Sequence, residues 1–301
     1  MKKTLLTICL VWMCFSLSAQ KIIDLSGKWS FSIDRQDNGE KEKWFSHTLN
    51  DFINLPGSMP EKLKGDEVTA KTQWTGSLYD SSYYYNPYME KYRKEGNIKF
   101  PFFLTPDKHY VGAAWYQKEV NIPADWKGER ILLFLERPHI ETTVWVNGQK
   151  TGMQNSLCVP HQYDITRYVR PGKCTITIRV DNRIKEINVG PDSHSITDQT
   201  QGNWNGIVGR ICLQTTPKTY FDDIQIYPEP EQKLARVKVV IKGTGTAKVK
   251  LSAESFNTDK KHIVPAIQQE IKLNKGVTET EMVLPMGNDM LLWDEFHPAL
   301  Y

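Results

Sequence analysis

An all-β protein built from two sandwich units is the fold class that the sequence predicts, and three observations carry the prediction. Short strand-like runs occur at 22–33, where apolar and polar residues alternate, and at 114–123, 130–136, 142–147, 174–181 and 207–213. Gly, Pro, Asn and Asp punctuate these runs about every ten residues, and no stretch repeats apolar residues at the spacing of an amphipathic helix. The strand rhythm breaks at 61–110 and changes character around Pro217. These breaks divide the chain into a leader at 1–19, an antiparallel β-sandwich at 20–216 with an insertion at 61–110, and a smaller immunoglobulin-like sandwich at 217–301.

The leader is read from its three parts. Lys2-Lys3, the largely apolar run 5–17 and the small residues Ser18 and Ala19 have the layout of a secretory signal peptide. The apolar run is shorter than the roughly 18 to 20 residues of a membrane span, and the bulky Val11-Trp12-Met13 do not suit lipoprotein processing at Cys14. The mature chain is expected to be exported, periplasmic or secreted, with no membrane span.

In the first strand, Trp29, Phe31 and Ile33 point one way and Ser30 and Ser32 the other. Residues 34–51 are polar and poorly periodic, and a short strand at 52–55 ends in the Pro56-Gly57 turn. The insertion carries Trp74, Tyr79, Tyr83, Tyr84, Tyr85, Tyr88, Tyr92, Phe100, Phe102, Phe103 and Tyr110 among Gly, Pro, Asn and charged residues. Two readings stand for those rings. They stack on sugar faces as a recognition surface, or they glue a long loop to the domain beneath it.

Regular strands resume at Ala114, and Asn147-Gly148 is the strongest hairpin signal because both residues accept positive φ. Asp164 heads a turn in which its carboxylate is expected to bond nearby backbone N–H groups. Beyond Pro217, runs at 221–227, 235–242, 247–255, 266–273 and 278–284 give the second unit its strands, with Lys-rich faces toward solvent.

Composition excludes several functions. With 40% hydrophobic and 24% charged residues the chain is globular. The formal charge of +3, two units of it on Lys2 and Lys3, comes with no basic run, so no nucleic-acid partner is expected. Of five cysteines, Cys9 and Cys14 lie in the leader and Cys158, Cys174 and Cys212 remain. That odd number argues against a disulfide framework, and Cys174 and Cys212 read as buried free thiols in apolar strands. No Cys-x-x-Cys pair occurs, and His109, His139, His161 and His194 lack ligand-like spacing, so no metal and no cofactor are expected. A Gly-x-Ser-x-Gly nucleophile elbow is absent as well.

Three segments carry a family resemblance. AAWYQKEVNIPADWKGERILLFLERPHIETTVWVNGQKTG, HQYDITRYVRPGKCTITIRVDN and NWNGIVGRICL, spread over 113–213, resemble the N-terminal sugar-binding domain of family 2 glycoside hydrolases, the β-galactosidases, β-glucuronidases and β-mannosidases. The shared features are the Trp-Tyr strand, the Trp-Val-Asn-Gly hairpin, the Tyr-Asp-Ile-Thr turn, the Arg-Val-Asp-Asn strand end and the Gly-Ile turn before the last strand. The resemblance implies that the first sandwich is a jelly roll, followed by an immunoglobulin-like domain and then a TIM-barrel domain with a retaining pair of carboxylates. The segment 292–301 is similar to a Leu-Trp…Pro-x-Leu-Tyr stretch inside the family's immunoglobulin-like domain. That likeness implies that the second domain is incomplete here and that the catalytic barrel lies beyond residue 301. The family's Asn-Glu acid/base motif has no counterpart, so no catalytic residue is expected in this chain.

The resemblance also singles out 198–213, where a polar turn feeds the last strand of the first unit. In the β-galactosidase branch, an acidic residue shortly before the Gly-Ile turn reaches a sugar hydroxyl. Asp198, eight residues before Gly206 and followed by Gln199, matches it in place, with Asn203, Trp204 and Asn205 as neighbours in the candidate sugar-binding set. Asp198 as a simple turn former is the competing reading. Ser58 stands where that branch has Asn, which weakens the case for galactose. The expected role is therefore the non-catalytic part of an exported glycosidase, which contacts a glycan and supports the active site. A stand-alone carbohydrate-binding module on an immunoglobulin-like stalk and a purely structural surface protein are the alternatives.

Overall fold

The computed structural model describes residues 21–76, 81–100, 105–157, 159–185, 194, 197–198 and 200–301. The expected leader, Cys158, the candidate Gln199, and Tyr79, Phe102 and Phe103 of the insertion lie outside the described residues. The chain falls into two compact units, Met1–Thr215 and Thr216–Tyr301. Regular structure among the described residues is strand, apart from five short 3-10 helices.

The first unit begins with β1 (Ile22–Asp24), β2 (Gly27–Asp34), β3 (Asp51–Leu55) and β4 (Gly57–Ser58). Two short strands, β5 (Asp66–Glu67) and β6 (Lys108–His109), pair with each other at the two ends of the insertion. Then come β7 (Ala113–Ile122), β8 (Arg130–Pro138), β9 (Glu141–Val146), β10 (Gln149–Asn155), β11 (His161–Asp164), β12 (Gly172–Asp181) and β13 (Gly206–Thr216). One sheet has the order β1-β13-β8-β11, with β4 added on β13, and the other has the order β10-β9-β12-β7-β2-β3. Alternation fills the space between them. Trp29 and Phe31 of β2, Tyr116 of β7, Leu133 and Leu135 of β8, Val144 of β9, Ile178 of β12 and Ile211 of β13 all share one core. Each such side chain contributes about 1.5–3 kcal/mol on burial. Cys174 belongs to this core, and burial pushes its thiol up to about 11. Cys174 and Cys212 are both free and buried.

The outer face of the six-stranded sheet is also covered. Trp115 and Trp145 stack with ring centres 4.9 Å apart, and Phe45 and Trp44 close over them at 5.2 and 6.1 Å. The segment that supplies Trp44 and Phe45, aperiodic in sequence, is pinned at its start by one carboxylate. Asp34 accepts hydrogen bonds from Trp115 Nε1 at 2.9 Å and from the backbone N–H groups of Asn38 at 2.9 Å and Gly39 at 2.8 Å. The Asn147-Gly148 hairpin has the positive φ values its sequence requires, 50° and 77°. Asp164 accepts from the Thr166 N–H at 3.1 Å, and it also takes Arg130 Nε at 2.9 Å.

In the insertion, part of the aromatic set packs inward. Phe100 is met by Tyr83 at 4.6 Å and by Trp74 at 4.8 Å, and Trp74 also meets the His109 ring at 4.6 Å. For these residues the loop-anchoring reading holds.

The second unit is a three-stranded antiparallel sheet of β14 (Tyr220–Glu229), β15 (Leu234–Glu254) and β16 (Ile263–Pro285), in that order. The four runs expected over 235–284 therefore merge into two long strands. Irregularities at Gly243/Gly245 and Leu251/Ala253 let the ladder continue where the sequence suggests turns. The long hairpin nevertheless makes two layers. Ala235 and Leu284 at one end pack in one cluster with Ala253 and Val264 at the other. A straight strand from 235 to 253 would hold them roughly 60 Å apart. The ladder thus doubles back, and Val237, Val239, Ile241 and Met282 face Val249, Ile271 and Leu273.

Leu133 lies at the centre of the first core with no exposed surface. Leu133→Ala is expected to lower the stability of the first unit by about 2–5 kcal/mol, read as a fall in the urea midpoint at unchanged slope.

Candidate functional site

The turn from Thr197 to Gly206 leads into β13 and buries several polar side chains, those of Thr197, Asp198, Asn203 and Asn205. Asp198 is its only carboxylate. Oδ1 accepts from the Asn203 N–H at 2.6 Å and Oδ2 from the Thr75 N–H at 2.6 Å, while His109 Nε2 stands 3.4 Å from Oδ2. The Asp198 N–H in turn donates to the Thr75 carbonyl at 3.1 Å. A carboxylate so enclosed, 3% exposed, organises backbone around itself as a buried turn former does.

Asn203 and Asn205 complete the clamp. Asn203 Nδ2 donates to Thr75 Oγ1 and to the Asn182 carbonyl, each at 3.0 Å. Asn205 is fully buried, with Nδ2 donating to the carbonyls of Gly112 and Val180, both at 2.9 Å, and Oδ1 accepting from the Tyr116 hydroxyl at 2.8 Å. Its own carbonyl takes the Met59 N–H at 2.7 Å. The next residue must be glycine. Gly206 has φ +143°, and a Cβ there would sit 2.5 Å from the Gly57 carbonyl oxygen, because β4 pairs with β13 at this point. Ser58, the residue opposite Gly206 in that pairing, is half-buried at the edge of the turn and meets Glu61 rather than the clamp.

Trp204 is the member of the set that remains partly open. It is half-buried, and its ring stacks on His139 with centres 4.5 Å apart and planes at 19°. His139 is 6% exposed, and burial lowers its pKa to about 4, with Asn203 and Asp198 opposing the shift. The ring is therefore neutral near pH 7. The His139 N–H holds the Gly206 carbonyl at 3.2 Å, so the same residue supports Trp204 and the strand start.

Where β12 ends, six charged groups meet. Arg179 contacts Asp37 at 2.6 Å, Asp181 at 3.0 Å and Glu141 at 3.4 Å. Arg183 bridges Asp37 at 2.6 Å and Asp181 at 2.5 Å, and Lys185 bridges Glu141 at 2.9 Å and Asp181 at 2.8 Å. Hydrogen bonds from Arg183 and Lys185 outweigh burial and hold the Asp181 carboxyl far below the usual carboxylate range.

Of the five candidates, four are thus brought together in one turn: Asp198, Asn203, Trp204 and Asn205. The fifth, Gln199, lies outside the described residues. The partners Thr75, His109, His139 and Tyr116 had no signal in the sequence, since their separations from the turn reach 123 residues for Thr75 and 89 for Tyr116. Among the described residues, no group of three or more His, Cys, Asp and Glu could hold a metal ion, and no helix is long and apolar enough to cross a membrane. The arrangement can present a braced aromatic ring to a ligand. Among the described residues of the turn, it positions no free carboxylate for proton transfer.

The fold and the turn define the class, a β-sandwich domain within a modular all-β protein. Residues 22–217 match the family described as "Glycosyl hydrolases family 2, sugar binding domain", and the chain belongs to that family. A beta-glucuronidase of Homo sapiens is 24% identical over 266 residues, covering 79% of this chain and 35% of the human protein. A beta-galactosidase of Clostridium acetobutylicum is 24% identical over 285 residues, covering 92% of this chain and 28% of its own length. Among solved structures, a beta-glucuronidase from an uncultured Clostridium sp. superposes with a TM-score of 0.57 at 20% identity, covering 94% of this chain and 42% of that one. The chain spans about a third of the length of the curated relatives it matches.

Two outcomes follow from the clamp. Asn205→Ala strands the Tyr116 hydroxyl and two carbonyls inside the protein, and is expected to cost at least about 2 kcal/mol in denaturant unfolding. Acid acts through His139. The unfolded state, with a His pKa near 6.5, takes up the proton before the folded state does at about 4. Stability is unaffected above pH 7 and falls as the pH drops from 6.5 toward 4, by about 3 kcal/mol in all. Burial lowers the pKa of His161 too, which adds to the fall in the same sense. His139→Gln should flatten the pH 4–6.5 part of the unfolding profile.

Proposed function

We propose that this chain is the non-catalytic, sugar-contacting part of an exported glycoside hydrolase that cleaves O-glycosidic bonds of glycans. The observation that carries the reading is the match of 22–217 to a sugar-binding domain, joined to a turn whose one partly open ring is Trp204. Asp198, Asn203 and Asn205 hold the turn in shape, and Trp204 offers a stacking face to a sugar at its rim, with Gln199 as a further candidate contact. An aromatic ring on a rigid support meets the apolar face of a pyranose at little entropic cost. Bond cleavage in this reading belongs to a separate catalytic barrel domain, and the turn lies beside that domain's pocket as a lip. The leader at 1–19 supports export to the periplasm or the medium.

The relatives carry the names beta-glucuronidase and beta-galactosidase, so glucuronic acid and galactose are the first sugars to try. At about 100 times its Kd, a sugar that binds here should stabilise the chain by about 2.7 kcal/mol in thermal or chemical unfolding, and Trp204→Ala should abolish the gain. The chain alone should not turn over p-nitrophenyl β-glucuronide or β-galactoside. Reproducible turnover that survives repurification would overturn the non-catalytic assignment. Absence of stabilisation by either sugar, with Trp204→Ala indistinguishable from wild type, would overturn the sugar contact.

A further inference from the structure

The turn does not account for the outward side of the insertion. Tyr84, Tyr85 and Tyr88 are 44%, 73% and 86% exposed; Tyr84 ends the 3-10 helix Ser81–Tyr84, Tyr88 lies on the 3-10 helix Pro87–Tyr92, and Tyr85 lies in the turn between them. Such rings usually sit on a surface that something covers. Their backbone is fixed from beneath. Tyr83, fully buried, stacks on Phe100, and its hydroxyl donates to the Tyr92 carbonyl at 2.9 Å. Arg93 donates through Nη1 to the carbonyls of Tyr83 and Asn86, and Asn86 Oδ1 accepts from the Tyr88 N–H at 3.0 Å. The rings are thus displayed on a scaffold already ordered before any ligand arrives.

The same anchor walls an open groove of about 1060 Å³, to which Arg93 and Phe100 both contribute. Three acids, Glu67, Glu95 and Asp107, face three bases, Arg93, Lys99 and Lys108, and Glu67 pairs with Lys108. A lining with balanced charge and many hydrogen-bonding groups gives a strongly charged polymer no advantage. It suits a ligand with hydroxyl groups on its edges and apolar ring faces. Tyrosine has the matching character, a ring for the apolar face and a hydroxyl for the edge. A volume near 1000 Å³ is at the upper end for a small-molecule pocket, so the groove has room for more than one sugar ring.

We propose that the insertion carries a second carbohydrate-binding surface, distinct from the Trp204 turn, in which Tyr85 and Tyr88 stack on the pyranose faces of a neutral polysaccharide chain, with the charge-balanced Glu67–Lys108 groove, which these two rings do not line, as a further place on the same insertion for its hydroxyls. The proposal rests on the reading of the protein as one that acts on glycans. It places polymer retention on the insertion and leaves the recognition of a single sugar to the turn.

Affinity gel electrophoresis of the full chain in gels containing soluble galactomannan, xylan or mixed-linkage β-glucan, with polygalacturonate as the charged comparison, tests it. Retardation by at least one neutral polymer is expected, with the apparent Kd raised at least tenfold in Tyr85→Ala/Tyr88→Ala. Tyr85→Phe/Tyr88→Phe, which keeps the rings, should keep most of the retardation, and an unchanged melting temperature of the alanine pair separates lost binding from misfolding. Retardation by none of the neutral polymers, by polygalacturonate alone, or equally in wild type and the alanine pair overturns the proposal. Because stabilisation by free glucuronic acid or galactose is read at Trp204, failure of the turn and failure of the insertion give different results.

Discussion

The polar side chains that the 197–206 turn carries inside need partners there, and most of their atoms find them in the strands and the insertion of the first unit. Left unpaired, an amide or carboxylate in such a place costs several kcal/mol. Asn205 solves the largest part of the problem with one side chain. It stands just before β13, in one sheet, and bonds Tyr116 of β7 and the Val180 carbonyl of β12, both in the other. Its backbone carbonyl takes the residue that follows β4. One buried amide therefore fixes the spacing of the two sheets at the end where the turn emerges, and no apolar residue could replace it without orphaning several partners.

The insertion enters the same accounting. Asp198 needs N–H donors, and the residue that supplies one of them, Thr75, belongs to a loop that has no ladder to join apart from the short β5–β6 pair. The dependence runs both ways, since Thr75 N–H and carbonyl are both satisfied at Asp198. The insertion is thereby tied to the turn at its root, while its aromatic anchor around Phe100 orders the rest. This division explains how one loop can hold both buried rings and fully displayed ones. The inner set supplies the ordering free energy that the outer set needs before it can meet a ligand with little further entropic loss.

Much of this was legible in the sequence where the physics is local. Period-two alternation in β2 and β12, the short apolar run of β8 and the Asn147-Gly148 turn report their own neighbours, so the all-β architecture follows from short windows. The merging of the runs at 235–242 and 247–255 into one strand was not legible, because Gly243 and Gly245 look alike whether they end a strand or bend it. The candidate turn was found by its position before Gly206, but the state of Asp198 was not. Whether a carboxylate faces a sugar or two backbone N–H groups depends on Thr75 and His109, residues brought near by the fold and marked by no spacing. The split between Tyr83 and Tyr88 was hidden for the same reason. Composition counts rings and cannot assign them to an inner or an outer face.

The six-charge network at the end of β12 gives the last step. Three acids and three bases gathered at the root of the 182–205 segment balance in charge, and Asp181 and Arg179 are buried. Such networks add little net stability, because desolvation offsets most of the Coulomb gain, but they are strict about geometry. Asp181 accepts from Arg183 and Lys185, so the chain cannot leave β12 in another direction without breaking those bonds and stranding a buried carboxylate. The cost of a wrong exit, rather than the strength of the right one, fixes the direction in which the chain leaves β12 over 182–185. At the other end of the segment, Asp198, Asn203 and Asn205 fix the turn by their own hydrogen bonds, and the ring of Trp204, stacked on His139, is braced between them.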